Sequence, residues 1–178
     1  MSLADQEVAA VAIAPAIRPK SLFLLASLGV LALDQWSKWL IEAHLPEHAS
    51  QVLLPGFVSF THVRNNGVAF GLFASATQGA STSLLAVVGL FALVVVAAYF
   101  WRTPPSQSTL LLALSLVLGG ALGNLLDRFV SGAVTDFVDL SLGAHHWPAF
   151  NVADSAITIG LLLLALDAVR PWRVELND

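Results

Sequence analysis

Four long apolar runs, set apart by more polar segments, organise the chain; they cover roughly 21–40, 83–101, 108–126 and 151–169. Each is close to the ~20 residues that an α-helix needs to cross the hydrocarbon core of a bilayer. The runs are continuous, whereas a membrane β-barrel would show short segments of alternating polarity. The pattern predicts an all-α membrane protein with four transmembrane helices, and an even number of spans puts both termini on one side. The connecting segments are unequal. The link "WRTPPSQS" (101–108) is short, while 41–82 and 127–150 are long and hold most of the polar residues. Within the first long segment, "FVSFTHV" (57–63) alternates enough to suggest a short strand pair, and "NNG" (65–67) signals a turn. The expected architecture is four spans with a small extracytoplasmic β element and loop lying at the outer membrane surface.

The basic residues orient this arrangement. Arg18, Lys20, Arg102, Arg170 and Arg173 fall on one side of the four spans, and only Lys38, Arg64 and Arg128 on the other. The positive-inside tendency makes the first side cytoplasmic. Trp101 and Trp172 fit an aromatic belt there, and Trp36, Trp39 and Trp147 fit the opposite belt. The start "MSLADQEVAAVAIAPAIRPK" reads as a loose tail. Arg18 and Lys20 before "SLFLLASLGVLAL" imitate a secretory leader, but the run continues into "DQWSKWLI" with no small-x-small cleavage site, so a retained anchor is expected. The division is a cytoplasmic tail over 1–20, a single four-helix membrane domain over 21–170 and a second cytoplasmic tail over 171–178.

Composition sharpens this picture. Of the 178 residues, 57% are hydrophobic and only 11% charged, too little charge for an ordinary soluble domain. No basic stripe suggests nucleic-acid binding. The absence of cysteine excludes disulfides and thiolate metal sites.

Few residues remain to carry chemistry. Asp34 and Lys38 are four apart and share a helix face; an ion pair holding the end of the first span is the simplest role for them. "RNNGVAFG" (64–71) places amides and glycines together, as a tight turn or as side chains able to hold a peptide backbone. In "GGALGNLLDRF" (119–129) the glycines allow close helix packing. Asn124, Asp127 and Arg128 follow them, either a structural helix end or a hold on a carbonyl or carboxylate. The most pointed signal is Asp136 and Asp139 in "VTDFVDLS" (134–141) and Asp154 in "FNVADSAI" (150–157). Asp154 sits near the start of the fourth span, where an ionisable group is costly and functional by default. Phe137 is placed to anchor the 127–150 loop in the interface, and Asp139 reads as a solvated loop residue. If that loop folds over the fourth helix, Asp136 and Asp154 meet. Two close carboxylates share a proton, and one then acts as base on a water while the other polarises a carbonyl. The residues alone leave a structural pair equally open. The positive end of the fourth helix favours an ionised Asp154, so the shared proton is expected on Asp136. His145 and His146 are adjacent in a loop, a poor geometry for chelating one ion, and no HExxH is present; no metal and no cofactor are expected. No GxSxG appears, and Ser37 and Lys38 are adjacent, the wrong spacing for a Ser/Lys pair.

Five segments, "LDQWSKWLI" (33–41), "NNGVAFG" (65–71), "GGALGNLLDR" (119–128), "VTDFVD" (134–139) and "FNVADSAI", together resemble the lipoprotein signal peptidase (signal peptidase II) family. They stand in the family's order and cover nearly all of the chain after residue 20. The resemblance implies an aspartic endopeptidase of the bacterial cytoplasmic membrane, with its active site on the extracytoplasmic side. It implies removal of the signal peptide from prolipoproteins, just before a cysteine carrying a diacylglyceryl group. By motif, the dyad falls on Asp136 and Asp154. Asn66, Asn124, Arg128 and Asn151 match positions that bind substrate or hold the dyad. Asp127 is supportive, and Asp34 and Lys38 are mainly structural. The implied partners are the prolipoprotein and membrane lipids, with one chain holding the whole site and no nucleic acid. Rival classes are a small proton-coupled carrier using Asp34 and Asp154 as relays, and a structural four-helix subunit. The clustering of the carboxylates toward one face argues against the first.

Overall fold

A computed structural model of the chain describes residues 19–66, 78–143 and 145–169, with 78–82 described by backbone alone. The expected tail over 171–178, nearly all of the tail over 1–20, the stretch of "NNGVAFG" from Gly67 onward and Trp172 lie outside the described residues.

Among the described residues four helices and four strands follow one another: α1 (Lys20–His44), β1 (Ser50–Leu54), β2 (Val58–Asn65), α2 (Gln78–Arg102), α3 (Ser108–Ser131), β3 (Val134–Leu142), β4 (His145–His146) and α4 (Val152–Ala168). Local chemistry sets the ends. Pro46 follows the α1 cap residue Leu45, and Pro104 and Pro105 follow α2; a proline cannot continue a helix. Gly132 closes α3 in the left-handed region at φ 74°, which glycine adopts without a Cβ penalty. α4 opens on a reciprocal capping box between Asn151 and Asp154, which satisfies two otherwise orphaned backbone donors.

α3 is the central helix and packs against α1, α2 and α4. Glycines make the approach possible. A Cβ on Gly119 would lie 2.6 Å from the Ser27 carbonyl of α1, one on Gly120 would meet the Ala153 carbonyl of α4, and one on Gly160 would lie 2.8 Å from the Ala113 carbonyl. At the far end of the bundle the Lys20 Nζ donates to the Trp101 carbonyl at 2.6 Å and the Phe100 carbonyl at 3.2 Å, tying the start of α1 to the end of α2. Phe23, Phe100, Leu111 and Leu114 fill the apolar core beside this tie.

Polar side chains share the interior with the apolar core, and large apolar side chains cover much of the outside. Asp34, Lys38, Asn124, Asp136 and Asn151 are buried, while Leu25, Trp39, Val87, Phe91, Leu162 and Leu166 stand exposed. Such continuous apolar surface fits a bilayer. Among the described residues two helices, Ser83–Arg102 and Ser108–Ser131, are long and apolar enough to cross a membrane on length and composition. α4 has 17 residues, and α1 carries the Asp34–Lys38 pair in its interior.

The β element differs from the expectation. It is one four-stranded antiparallel sheet in the order β1-β2-β3-β4. "FVSFTHV" lies mostly on the single strand β2, which pairs on one edge with β1 and on the other with β3. "VTDFVD" is strand, not loop. Its residues have strand propensity, and β2 supplies a long-range partner that spacing does not reveal. α1 and α3 also run about a turn beyond the expected 40 and 126, so part of the presumed loops is helix.

Candidate active site

Asp136 is carried by β3, and Val63 of β2 is its cross-strand partner. Asn65 is two positions on from Val63 and so shares its face of the sheet; its Nδ2 donates to Asp136 Oδ2 at 2.9 Å. The other oxygen, Oδ1, accepts from Asn151 Nδ2 at 2.8 Å. Asp154 is the third residue of α4. Its Oδ1 accepts from Asn124 Nδ2 at 2.7 Å and its Oδ2 from the Asn151 backbone N–H at 3.3 Å. Asn151 therefore bonds both carboxylates, and its own Oδ1 accepts from the Asp154 N–H at 2.9 Å. That last bond fixes the amide orientation, so the Nδ2 must face Asp136.

A second layer lies beneath. Asn124 Oδ1 accepts from Asn151 Nδ2 at 3.2 Å and from Lys38 Nζ at 3.0 Å. Lys38 also bonds Asp34 Oδ2 at 2.8 Å and makes an ion contact with Asp127 Oδ2 at 2.6 Å. Gln35 Nε2 reaches Asp127 Oδ1 at 2.8 Å, and Asp34 Oδ1 accepts from the Ala153 N–H of α4 at 2.9 Å. Gly123 leaves room for the Asp34 carboxylate, which a Cβ would meet directly. The expected Asp34–Lys38 pair is thus present, and it is more than a local helix contact: it joins α1, α3 and α4 under the two aspartates.

Burial is the main influence on Asp136. It pushes the carboxyl from its ordinary 3.8 to about 6, the neighbouring Asp154 charge adds to the rise, and the bonds from Asn65 and Asn151 oppose it. Asp154 stands in the first turn of α4 and accepts from the Asn124 amide. The pair can hold one carboxyl protonated beside one ionised, as acid–base catalysis on an amide requires.

Other expected residues fall as follows. Arg128 Nη1 donates to the Asn124 carbonyl in its own helix at 3.0 Å, with Asp154, Asp127 and Asp136 as its charged neighbours. Asn66 directly follows β2, and the amide seen on Asp136 is that of Asn65. Two expectations are corrected. Phe137 is buried and packs edge-on to Phe60 at 6.1 Å, so it does not anchor a loop outward. Asp139 lies on β3 and bonds His146 Nδ1 at 3.0 Å. Sequence reasoning passed over Asn65 and Gln35. The first is one of two adjacent amides, and only strand register decides which faces Asp136. The second stands one place after Asp34, where helix spacing gives no hint that it reaches Asp127.

Comparison with known proteins agrees with this geometry. A family model described as signal peptidase (SPase) II, Peptidase A8, matches residues 26–170. The lipoprotein signal peptidase of Solibacter usitatus is 41% identical over 148 residues, covering 83% of this chain and 90% of that protein. That of Moorella thermoacetica is 43% identical over 149 residues, covering 84% and 93%. Two solved structures, described as bacterial membrane enzymes determined by the in meso method at 2.3 and 1.9 Å, superpose with TM-scores of 0.74 and 0.75 at 30% and 29% identity. They cover 83% and 84% of this chain, and 87% and 94% of their own. A match running from α1 through α4, shared with relatives above 40% identity, means that the chain belongs to the signal peptidase II family of membrane peptidases.

Proposed function

We propose that the chain is a membrane aspartic endopeptidase that removes the signal peptide from prolipoproteins, cutting just before a cysteine that carries a diacylglyceryl group. Asp136 and Asp154 are its dyad. The observation that carries this reading is Asn151, whose side chain holds Asp136 and whose backbone holds Asp154. Asp154, ionised, takes a proton from a water as the water attacks the scissile carbonyl carbon. Asp136, protonated, donates to the carbonyl oxygen and stabilises the developing charge. As the C–N bond breaks, Asp154 gives the water's proton to the departing amine, and Asp136 recovers its own proton while the carbonyl re-forms. Asn65, Asn124, Asn151 and Arg128 hold the dyad and face the peptide, with Asn66 beside them; Asp34, Lys38 and Asp127 support them from below. No metal or cofactor takes part. All four helices span the bacterial cytoplasmic membrane, with both termini in the cytoplasm and the sheet on the outer surface. The diacylglyceryl chains remain in the lipid and fix the depth of the scissile bond, and one chain suffices as a monomer.

The test offers the purified chain, in detergent, a prolipoprotein with and without the diacylglyceryl group. Release of the signal peptide from the modified precursor, with little from the bare one, is expected. Equal cutting of both would remove the lipid from recognition, and cutting of neither would end the proposal.

The pH dependence carries a sign. The dyad needs a proton on Asp136, so kcat/KM should fall as pH rises through about 6, the value to which burial lifts this carboxyl. Asn65 favours the ionised form by donating to it. Asn65→Ala should therefore move the alkaline limb upward, by on the order of half a unit to one unit. An unmoved limb, or one moved downward, would contradict the assignment of that limb to Asp136.

A further inference from the structure

We infer that Glu42 and Thr135 form a clamp that positions the Asp136 carboxylate, with Glu42 as a positioning residue of the reaction. This inference rests on Asp136 being one of the dyad. Thr135 is 2% exposed, and its Oγ1 donates to Glu42 Oε1 at 2.6 Å, across from β3 to α1. That length suits a hydroxyl bonded to a charged carboxylate, among the stronger hydrogen bonds in proteins. Glu42 follows Lys38 by four residues and Asp34 by eight, so α1 turns one face to the site and uses the last of these positions to hold the strand.

The reason lies in strand geometry. Successive side chains point to opposite faces, so Thr135 and Asp136 leave β3 in opposite directions. Asn65 and Asn151 hold the Asp136 side, and Glu42 holds the other. The Thr135 carbonyl also accepts from Asn151 Nδ2 at 3.4 Å. Rolling of the strand about its own axis is the motion that would swing Asp136 away from Asp154, and a bond on each face opposes it. A dyad is sensitive to such motion, since misplacement by about 1 Å can cost on the order of a hundredfold in rate.

The experiment compares Thr135→Val, Thr135→Ser, Glu42→Ala and Asp136→Asn with the parent chain on diacylglyceryl-modified precursor. Thr135→Val and Glu42→Ala should each lower kcat roughly tenfold to a hundredfold with KM nearly unchanged. Thr135→Ser keeps the hydroxyl and should restore most of the rate. The alkaline limb should move to lower pH in the two damaged variants, because a carboxylate that swings out of its place is less desolvated and feels less of the Asp154 charge. Folding is checked by thermal unfolding, and Glu42→Ala, at the more exposed partner, stands in if Thr135→Val fails to fold. Parent-like kcat and an unmoved limb in Glu42→Ala would overturn the clamp. Asp136→Asn separates the two failures: if it cuts at the parent rate, the dyad itself is wrong, and if it is dead while the clamp variants are parent-like, the clamp alone is wrong.

Discussion

Asp136→Asn should abolish cleavage while making the protein harder to unfold. The loss of rate should be at least about a thousandfold, the scale of a missing acid–base group that works with a partner. The gain in stability follows from the same burial. Asp136 holds its proton up to about pH 6 in the folded protein, against an ordinary 3.8. Between those values the native state keeps a proton that the unfolded chain has released. Stability therefore falls as pH rises through that window and stays lower above it. At pH 7 the buried charge costs up to about 3 kcal/mol, taking about 1.4 kcal/mol for each unit of displacement; a neutral amide does not incur it, but its NH2 replaces one of the two oxygens that accept from Asn65 and Asn151, so Asn65 must turn its amide to accept and part of the gain is offset. Asp154→Asn should lose activity equally without the gain, since Asp154 closes the capping box of α4 and its replacement removes a negative group from the helix N-terminus, a loss of roughly 0.3–1 kcal/mol. Thermal unfolding of the three proteins at pH 7, beside a gel assay of precursor cleavage, checks both halves. Parent-like cutting by either variant would move the catalytic role elsewhere, with Asp127 next to be tested.

Lys38→Met should damage folding more than any change on the outer surface. The ammonium touches Asp34 and Asp127 and bonds Asn124, and it is 3% exposed while Asp34 is fully buried. Its removal leaves two carboxylates without a counter-charge in a low-dielectric setting. Breaking a buried ion pair in this way typically costs about 3–5 kcal/mol. Pairing Lys38→Met with Asp34→Asn should recover part of the loss, because one stranded charge is then gone. A melting temperature unchanged by Lys38→Met would show that the network adds nothing to stability.

Much of this was legible in the residues, and the reasons for the remainder are specific. The helices announced themselves as apolar runs, and α2 and α3 lie close to where those runs place them. The aspartates stood out because ionisable groups are rare in such a chain. Strand pairing was hidden. β3 joins β2 across a long stretch of sequence, from Asn65 paired with Val134 to Val58 paired with Leu140, so nothing near "VTDFVD" distinguishes a paired strand from a loop. The same blindness put Phe137 at the interface when it packs on Phe60. It also left Asn65 indistinguishable from Asn66, since only the pairing of β2 with β3 brings Asn65 beside Asp136. The pair Asp34–Lys38 was read correctly as an ion pair, but its links to Asp127, Asn124 and Ala153 depend on how three helices meet.

The glycine contacts along α3 say something about what keeps such a molecule together. Where apolar side chains face lipid, bringing helices together expels no water, and the usual hydrophobic gain between them is absent. Cohesion then depends on how closely backbones can approach and on the polar bonds that close approach permits. At Gly119 the clearance would not admit a single methyl group without movement of the Ser27 backbone. The tolerance of this fold is thus a matter of distance more than of surface area. The helix that carries Asp154 is held against α3 by the fit of backbone against backbone.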